Sequence, residues 1–133
     1  MKYIYPAVFE KEGAFYTVVF PDLDGCYTQG DTLKEAVENA SDILCLTLYN
    51  CEESKTPIPT PSDICSVHTE NDRQFASLVS CDTLEYRKFY DSKAVKKTLT
   101  LPAWLNTMSE SEGINFSAVL QDALKERLHI TDR

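Results

Sequence analysis

Apolar residues change their spacing several times along this chain, and each change marks an element. Residues 3–9, Tyr-Ile-Tyr-Pro-Ala-Val-Phe, and 15–20, Phe-Tyr-Thr-Val-Val-Phe, are rich in aromatic and β-branched types. The short charged link Glu10-Lys11-Glu12-Gly13 between them predicts a β-hairpin. Pro6 has no amide proton, so the first strand is expected at a sheet edge or with an irregularity. Residues 21–30 hold Pro21, Gly25 and Gly30 and read as a defined loop. The spacing then becomes helical. Thr32-Leu33-Lys34-Glu35 is a capping-box pattern, and Leu33, Ala36, Val37, Ala40, Leu44 and Leu48 form one stripe of a helix running to about residue 51.

Pro57, Pro59 and Pro61 exclude a helix there and predict a stiff connector back to the sheet. Residues 64–69 and 75–81 are β-rich, whereas the charged and aromatic stretch 82–90 predicts no element. From residue 94 a period of two returns, with Thr98 and Thr100 alternating with Leu99 and Leu101, so 94–101 reads as a strand. Pro102 opens a helix carrying Trp104, Leu105 and Met108, and Gly113 stops it. Asn115 caps a second helix with the stripe Phe116, Val119, Leu120, Ala123, Leu124 and Leu128.

A single strand with two short helices cannot satisfy its own backbone or bury enough apolar surface to stand alone. Pairing with the same strand of a second copy about a two-fold axis solves both problems. Leu99 and Leu101 then face the helices, and Lys96, Thr98 and Thr100 face outward. A two-stranded ribbon of this kind fits the major groove of DNA, and the helix start at Asn115 and Ser117 offers N–H groups to phosphate. A plain dimerisation ribbon is the competing reading.

Charge sharpens the division. Residues 1–91 hold 7 Lys+Arg against 16 Asp+Glu, a net of −9, while 92–133 hold 6 against 5, a net of +1. Two domains with different partners are expected, an acidic body over 1–91 and a tail over 92–133 that tolerates DNA. With 43% hydrophobic and 26% charged residues the chain is not wholesale disordered. No stretch approaches the ~18 apolar residues of a membrane span, and the start reads as no signal peptide, so a cytoplasmic protein is expected. Cys26, Cys45, Cys51, Cys65 and Cys81 form no C-x-x-C pair, and with only His68 and His129 no zinc spacing arises. Reduced thiols and no metal or cofactor are the expectation.

Residues 94–130 resemble the ribbon-helix-helix DNA-binding domain, through Thr-Leu-Thr-Leu-Pro at 98–102 and Gly-Ile-Asn-Phe-Ser at 113–117. Residues 3–50 resemble the HicB antitoxin domain through Tyr5-Pro6-Ala7-Val8-Phe9, Phe20-Pro21-Asp22-Leu23-Asp24-Gly25-Cys26, Thr28-Gln29-Gly30-Asp31-Thr32 and Glu35-Ala36. The family loop commonly has proline where this chain has Asp24. The resemblance implies an α+β protein, a partial ribonuclease-H-like domain (antiparallel sheet plus helix) followed by a ribbon-helix-helix domain. It implies no catalysis. The first domain would mask HicA, a small basic ribonuclease toxin that cleaves messenger RNA, and the second would repress the operon by binding operator DNA as a dimer, with a higher assembly possible when toxin binds. Asp22 and Asp24 are the candidate toxin contacts. An alternative is a protein-binding module, or a DNA-binding regulator, with another partner. A further alternative, a metal-dependent nuclease built on Asp22, Asp24, Asp31 and Glu35, fits poorly because these residues suit a loop and a helix start.

Overall fold

The computed structural model describes residues 1–130, which fall into two compact units, Met1–Lys93 and a second that begins at Ala94. The first is an α+β unit. Its strands are β1 (Lys2–Glu12), β2 (Phe15–Val19), β3 (Tyr27–Gly30) and β4 (Gln74–Asp82), and its helices are α1 (Leu33–Ser54) and α2 (Thr83–Tyr90). The sheet is antiparallel in the order β3-β2-β1-β4.

The hairpin forms as its sequence predicts, with β1 running further than expected. Gly13 has φ +65° and Ala14 stays at negative φ, as a two-residue II′ turn requires. Pro6 departs from expectation. It lies on a central strand, opposite Leu78 of β4. The missing N–H is tolerated because β2 pairs with β1 only from Val8 to Glu12, so Pro6 has a ladder neighbour on one side only.

Residues 21–30 are not loop throughout. Phe20 N donates to the Cys26 carbonyl (3.0 Å), which closes a tight turn over Gly25 at φ +72°. The chain then returns as the short edge strand β3. The tight turn supplies the reversal, and only four residues remain to pair, too few for a period to show.

The capping box at α1 is as read in its first bond and displaced by one residue in its second. Thr32 Oγ1 accepts from Glu35 N (3.1 Å), and Glu35 Oε2 accepts from Asp31 N, one residue before the expected Thr32 N. The helix continues to Ser54, where Lys55 adopts φ 55° and ends it. The buried line is narrower than the predicted stripe. Ala36, Ala40, Leu44 and Leu48, four apart, are buried, whereas Leu33 and Val37 are exposed. Ala36 and Ala40 are small where the helix meets the end of β3. Leu33 and Val37 lie beside that contact line rather than on it.

The core joins this line to Tyr5, Ala7, Phe9, Val18, Phe20, Leu23, Cys26, Val79 and Cys81. The odd positions of β1 therefore face α1. The proline connector is pinned to the sheet. The Tyr5 hydroxyl donates to the Pro59 carbonyl, and Asp22 accepts from Ser62 N (2.9 Å) and Oγ (2.5 Å). Residues 64–69 are not a strand. Asp63 accepts from Cys65 N and starts a 3-10 turn at Ile64–Ser66, a local bond that competes with sheet pairing. Residues 82–90, which predicted nothing, begin with Asp82 as N-cap and form α2. The buried Thr83 hydroxyl donates to Glu52, and Arg87 lies against Glu52 and Glu53 and 4.7 Å from the centre of the Tyr49 ring, which fastens α2 to the end of α1.

All five cysteines are free. Burial pushes the Cys26 and Cys81 thiols up, and neighbouring Cys45 adds to the shift at Cys81. Less thiolate is then available at any working pH. A disulfide-exchange reagent at pH 8 is expected to label exposed Cys65 within seconds, and Cys26 and Cys81 only after denaturant is added. Equal labelling rates in buffer would show that the core opens freely.

The second unit contains α3 (Ala103–Ser111) and α4 (Phe116–Arg127). Gly113 at φ +68° ends the α3 turn, and Asn115 Oδ1 accepts from Ala118 N (3.2 Å) to cap α4. His129 at φ 58° closes α4. Residues 93–101 form no strand ladder in the single chain.

Candidate functional site

The second unit has no interior of its own. No described residue from 94 to 130 is buried, and Val95, Leu99, Leu101, Trp104, Met108, Val119 and Leu124 are all exposed. Apolar side chains recur on both helices at the spacing that normally defines a core, yet they meet solvent. Lys96, Thr98 and Thr100 stand on the exposed segment before α3, in alternation with Leu99 at 54% exposure and Leu101 at 48%. Ser117 is exposed in the first turn of α4. Asn115 is partly committed, because its carbonyl oxygen serves the cap.

The carboxylates of the first unit are mostly engaged in structure. Asp22 holds Ser62, and Glu35 holds the backbone at the α1 start. Asp24 is exposed in the loop, two residues from Asp22 but outside that bond network. The residues 22, 24, 31 and 35 therefore do not converge on one point. Among the described residues no group of three or more His, Cys, Asp or Glu is arranged to hold a metal ion. No helix among them is long and apolar enough to cross a membrane.

One surface escaped the sequence reading. The face of the sheet away from α1 carries Ile4, Val8, Val19, Tyr27, Ala76 and Leu78. Of these, Ile4, Val19, Tyr27 and Leu78 are 50–68% exposed. The signal was present in β1. Residues 3–9 contain no charged side chain at either alternating set of positions, and a strand that is apolar on both faces is one expected to be covered on both.

The arrangement defines a molecule built for association: an acidic α+β body with exposed apolar side chains on one sheet face, joined to a helical unit without an interior. Comparison with known proteins makes this specific. The HicB-like antitoxin of bacterial toxin-antitoxin system model matches residues 5–121, and the chain belongs to that family. It is 35% identical over 91 residues to Antitoxin HicB 1 of Photorhabdus laumondii subsp. laumondii, covering 67% of this chain and 56% of that protein. It is 40% identical over 58 residues to Antitoxin HicB 2 of the same organism, covering 44% and 42%. The matched region thus spans about half the length of these curated relatives. Among solved structures it is similar to a chain of the toxin-antitoxin complex from Streptococcus pneumoniae. That likeness has a TM-score of 0.62 and 33% identity over 96% of this chain and 99% of that one. The crystal structure of antitoxin HicB3 gives a TM-score of 0.51 at 25% identity, covering 98% and 100%.

Proposed function

We propose that this chain is an antitoxin that binds and masks a HicA-type messenger-RNA-cleaving ribonuclease, and that it represses its own operon as a dimer on operator DNA. The observation that carries this reading is the likeness, over nearly the whole chain, to a chain of a toxin-antitoxin complex. The charge distribution supports it independently. A body with 7 cationic against 16 anionic side chains over 1–91 attracts a protein built to hold RNA and repels nucleic acid itself.

In this reading the first unit, a partial ribonuclease-H-like fold, acts by occlusion and carries no catalytic group. Of the two candidate toxin contacts, Asp24 is exposed and available to a partner, whereas Asp22 is engaged with Ser62 and holds the loop. The second unit works as a ribbon-helix-helix domain. Two copies pair residues 94–101 into a ribbon, which buries Leu99 and Leu101 against α3 and α4. Lys96, Thr98 and Thr100 enter the major groove, and the α4 start at Asn115 and Ser117 meets phosphate. A cytoplasmic location follows from these partners.

Two experiments test the reading. The small open reading frame beside this gene is expected to arrest growth when expressed alone and to lose that effect when this chain is co-expressed. Arrest without rescue would overturn the antitoxin assignment. The double variant Thr98→Ala/Thr100→Ala is expected to bind promoter DNA about 10–100-fold more weakly by fluorescence anisotropy, each single-bond threonine contact being worth less than the about 1–3 kcal/mol of a bidentate side chain–base pair. Its dimer mass should not change. Unaltered affinity would leave the ribbon as a dimerisation device only.

A further inference from the structure

We infer that the sheet face opposite α1 is the surface on which the first unit receives its basic protein partner. This rests on the antitoxin reading and adds the place of contact. The strand register arranges the face in rows. Ala76, Val8, Val19 and Tyr27 lie side by side across all four strands, since Val8 pairs with both Ala76 and Val19, and Val19 pairs with Tyr27. The neighbouring rows are Pro6, itself buried, with exposed Leu78, and exposed Ile4 with Ser80. Polar rows bound this island at both ends, Glu10 with Thr17 and Gln74 on one side and Lys2 with Asp82 on the other. An apolar centre with a polar rim is the usual anatomy of a protein interface. An antiparallel sheet with one free face normally makes that face polar, which this one does not.

Charge decides which occupant fits. A second copy laid face to face would bring together two bodies that each carry a net of −9 over residues 1–91. Their repulsion opposes the contact. The rim adds Glu10, Glu12 and Asp82 against Lys2, with Arg73 4.0 Å from Glu10 as a further cation at the border. A cationic partner gains from burial of the apolar rows and from attraction to the rim and body together. The occupant is therefore a basic protein with an apolar patch of its own. Under the antitoxin reading it is the toxin.

The test uses the full chain with Val19→Lys and Leu78→Lys together, and the adjacent open reading frame's product as the probe. Affinity by isothermal titration or biolayer interferometry is expected to fall at least about 100-fold, as for loss of central interface residues. Leu46→Lys on the exposed side of α1 should leave it unchanged. If the Val19/Leu78 variant loses its circular dichroism, Ile4→Lys with Tyr27→Lys takes its place, Tyr27 being the most exposed of the four. Wild-type binding that the sheet variants do not weaken overturns this inference alone. No wild-type binding overturns the antitoxin reading with it. A halved mass of the sheet variant without toxin would assign the face to a second copy and also overturn the inference.

Discussion

Leu99→Asp is expected to abolish the dimer. The variant should sediment as a monomer at tens of micromolar and should no longer retain promoter DNA. The second unit gives the reason. None of its described residues is buried, and Leu99 and Leu101 alternate with the polar positions that face away. In the proposed ribbon-helix-helix arrangement a second copy supplies the other half of the core for the apolar surface of α3 and α4. A two-fold ribbon places the substituted side chain from both copies at the centre of that shared core. Burying an unpaired carboxylate costs several kcal/mol, and the symmetry applies the cost twice. The Thr98→Ala/Thr100→Ala variant is the matching control, because it changes the same segment on its other face. A stable, monodisperse dimer of Leu99→Asp would show that the two faces are assigned the wrong way round.

The second large effect is expected in the body. Gly30→Ala should lower the melting midpoint of the first unit by roughly 10–20 °C in calorimetry of the full chain. Gly30 ends β3 just before the chain turns into α1, and a Cβ there would lie 2.8 Å from Ala36 Cα and 2.8 Å from the Glu35 carbonyl carbon, and closer still to Ala36 N. These are backbone atoms in a hydrogen-bonded first turn, and no rotamer change can move them. The helix must shift off the sheet, which loosens the line Ala36, Ala40, Leu44 and Leu48 along its whole length. Overpacking of this kind costs about 1–3 kcal/mol. Each kcal/mol corresponds to roughly 4–8 °C in a domain of this size. Gly25→Ala is the contrast. Its φ of +72° penalises a side chain, yet nothing lies within 4 Å of the added carbon. Its cost should stay near the ~1–2 kcal/mol of a left-handed residue. A Gly30→Ala midpoint within a few degrees of the unaltered chain would mean that the contact between Gly30 and α1 is not as close as described.

The same residues show where sequence reading reaches its limit. Gly30 was legible as turn chemistry, since glycine after a polar stretch marks a reversal. That it is needed for close approach depends on Ala36, six residues later, being folded back over it. Asp22 and Asp24 looked alike as acidic loop residues. The structure separates them, because Ser62, forty residues away, takes up one and leaves the other free. The 64–69 stretch carried β-forming residues, but an Asp63 side chain bonded two residues ahead held it in a turn.

Local patterns determined the hairpin, the capping box and most of α1, the two tail helices with their Asn115 and Gly113 boundaries, and the division of charge between the two units. These depend on neighbours within a few residues, where spacing and capping chemistry are read directly. Only the tertiary structure decided that Pro6 sits on a central strand with a ladder partner on one side only, that β3 forms an edge, and that α2 is tied to α1 through Thr83 and Arg87. Each of those outcomes is set by strand order and by contacts between residues far apart in the chain. Such contacts gain free energy only when the fold brings both sides together, so neither side carries a sign of them alone.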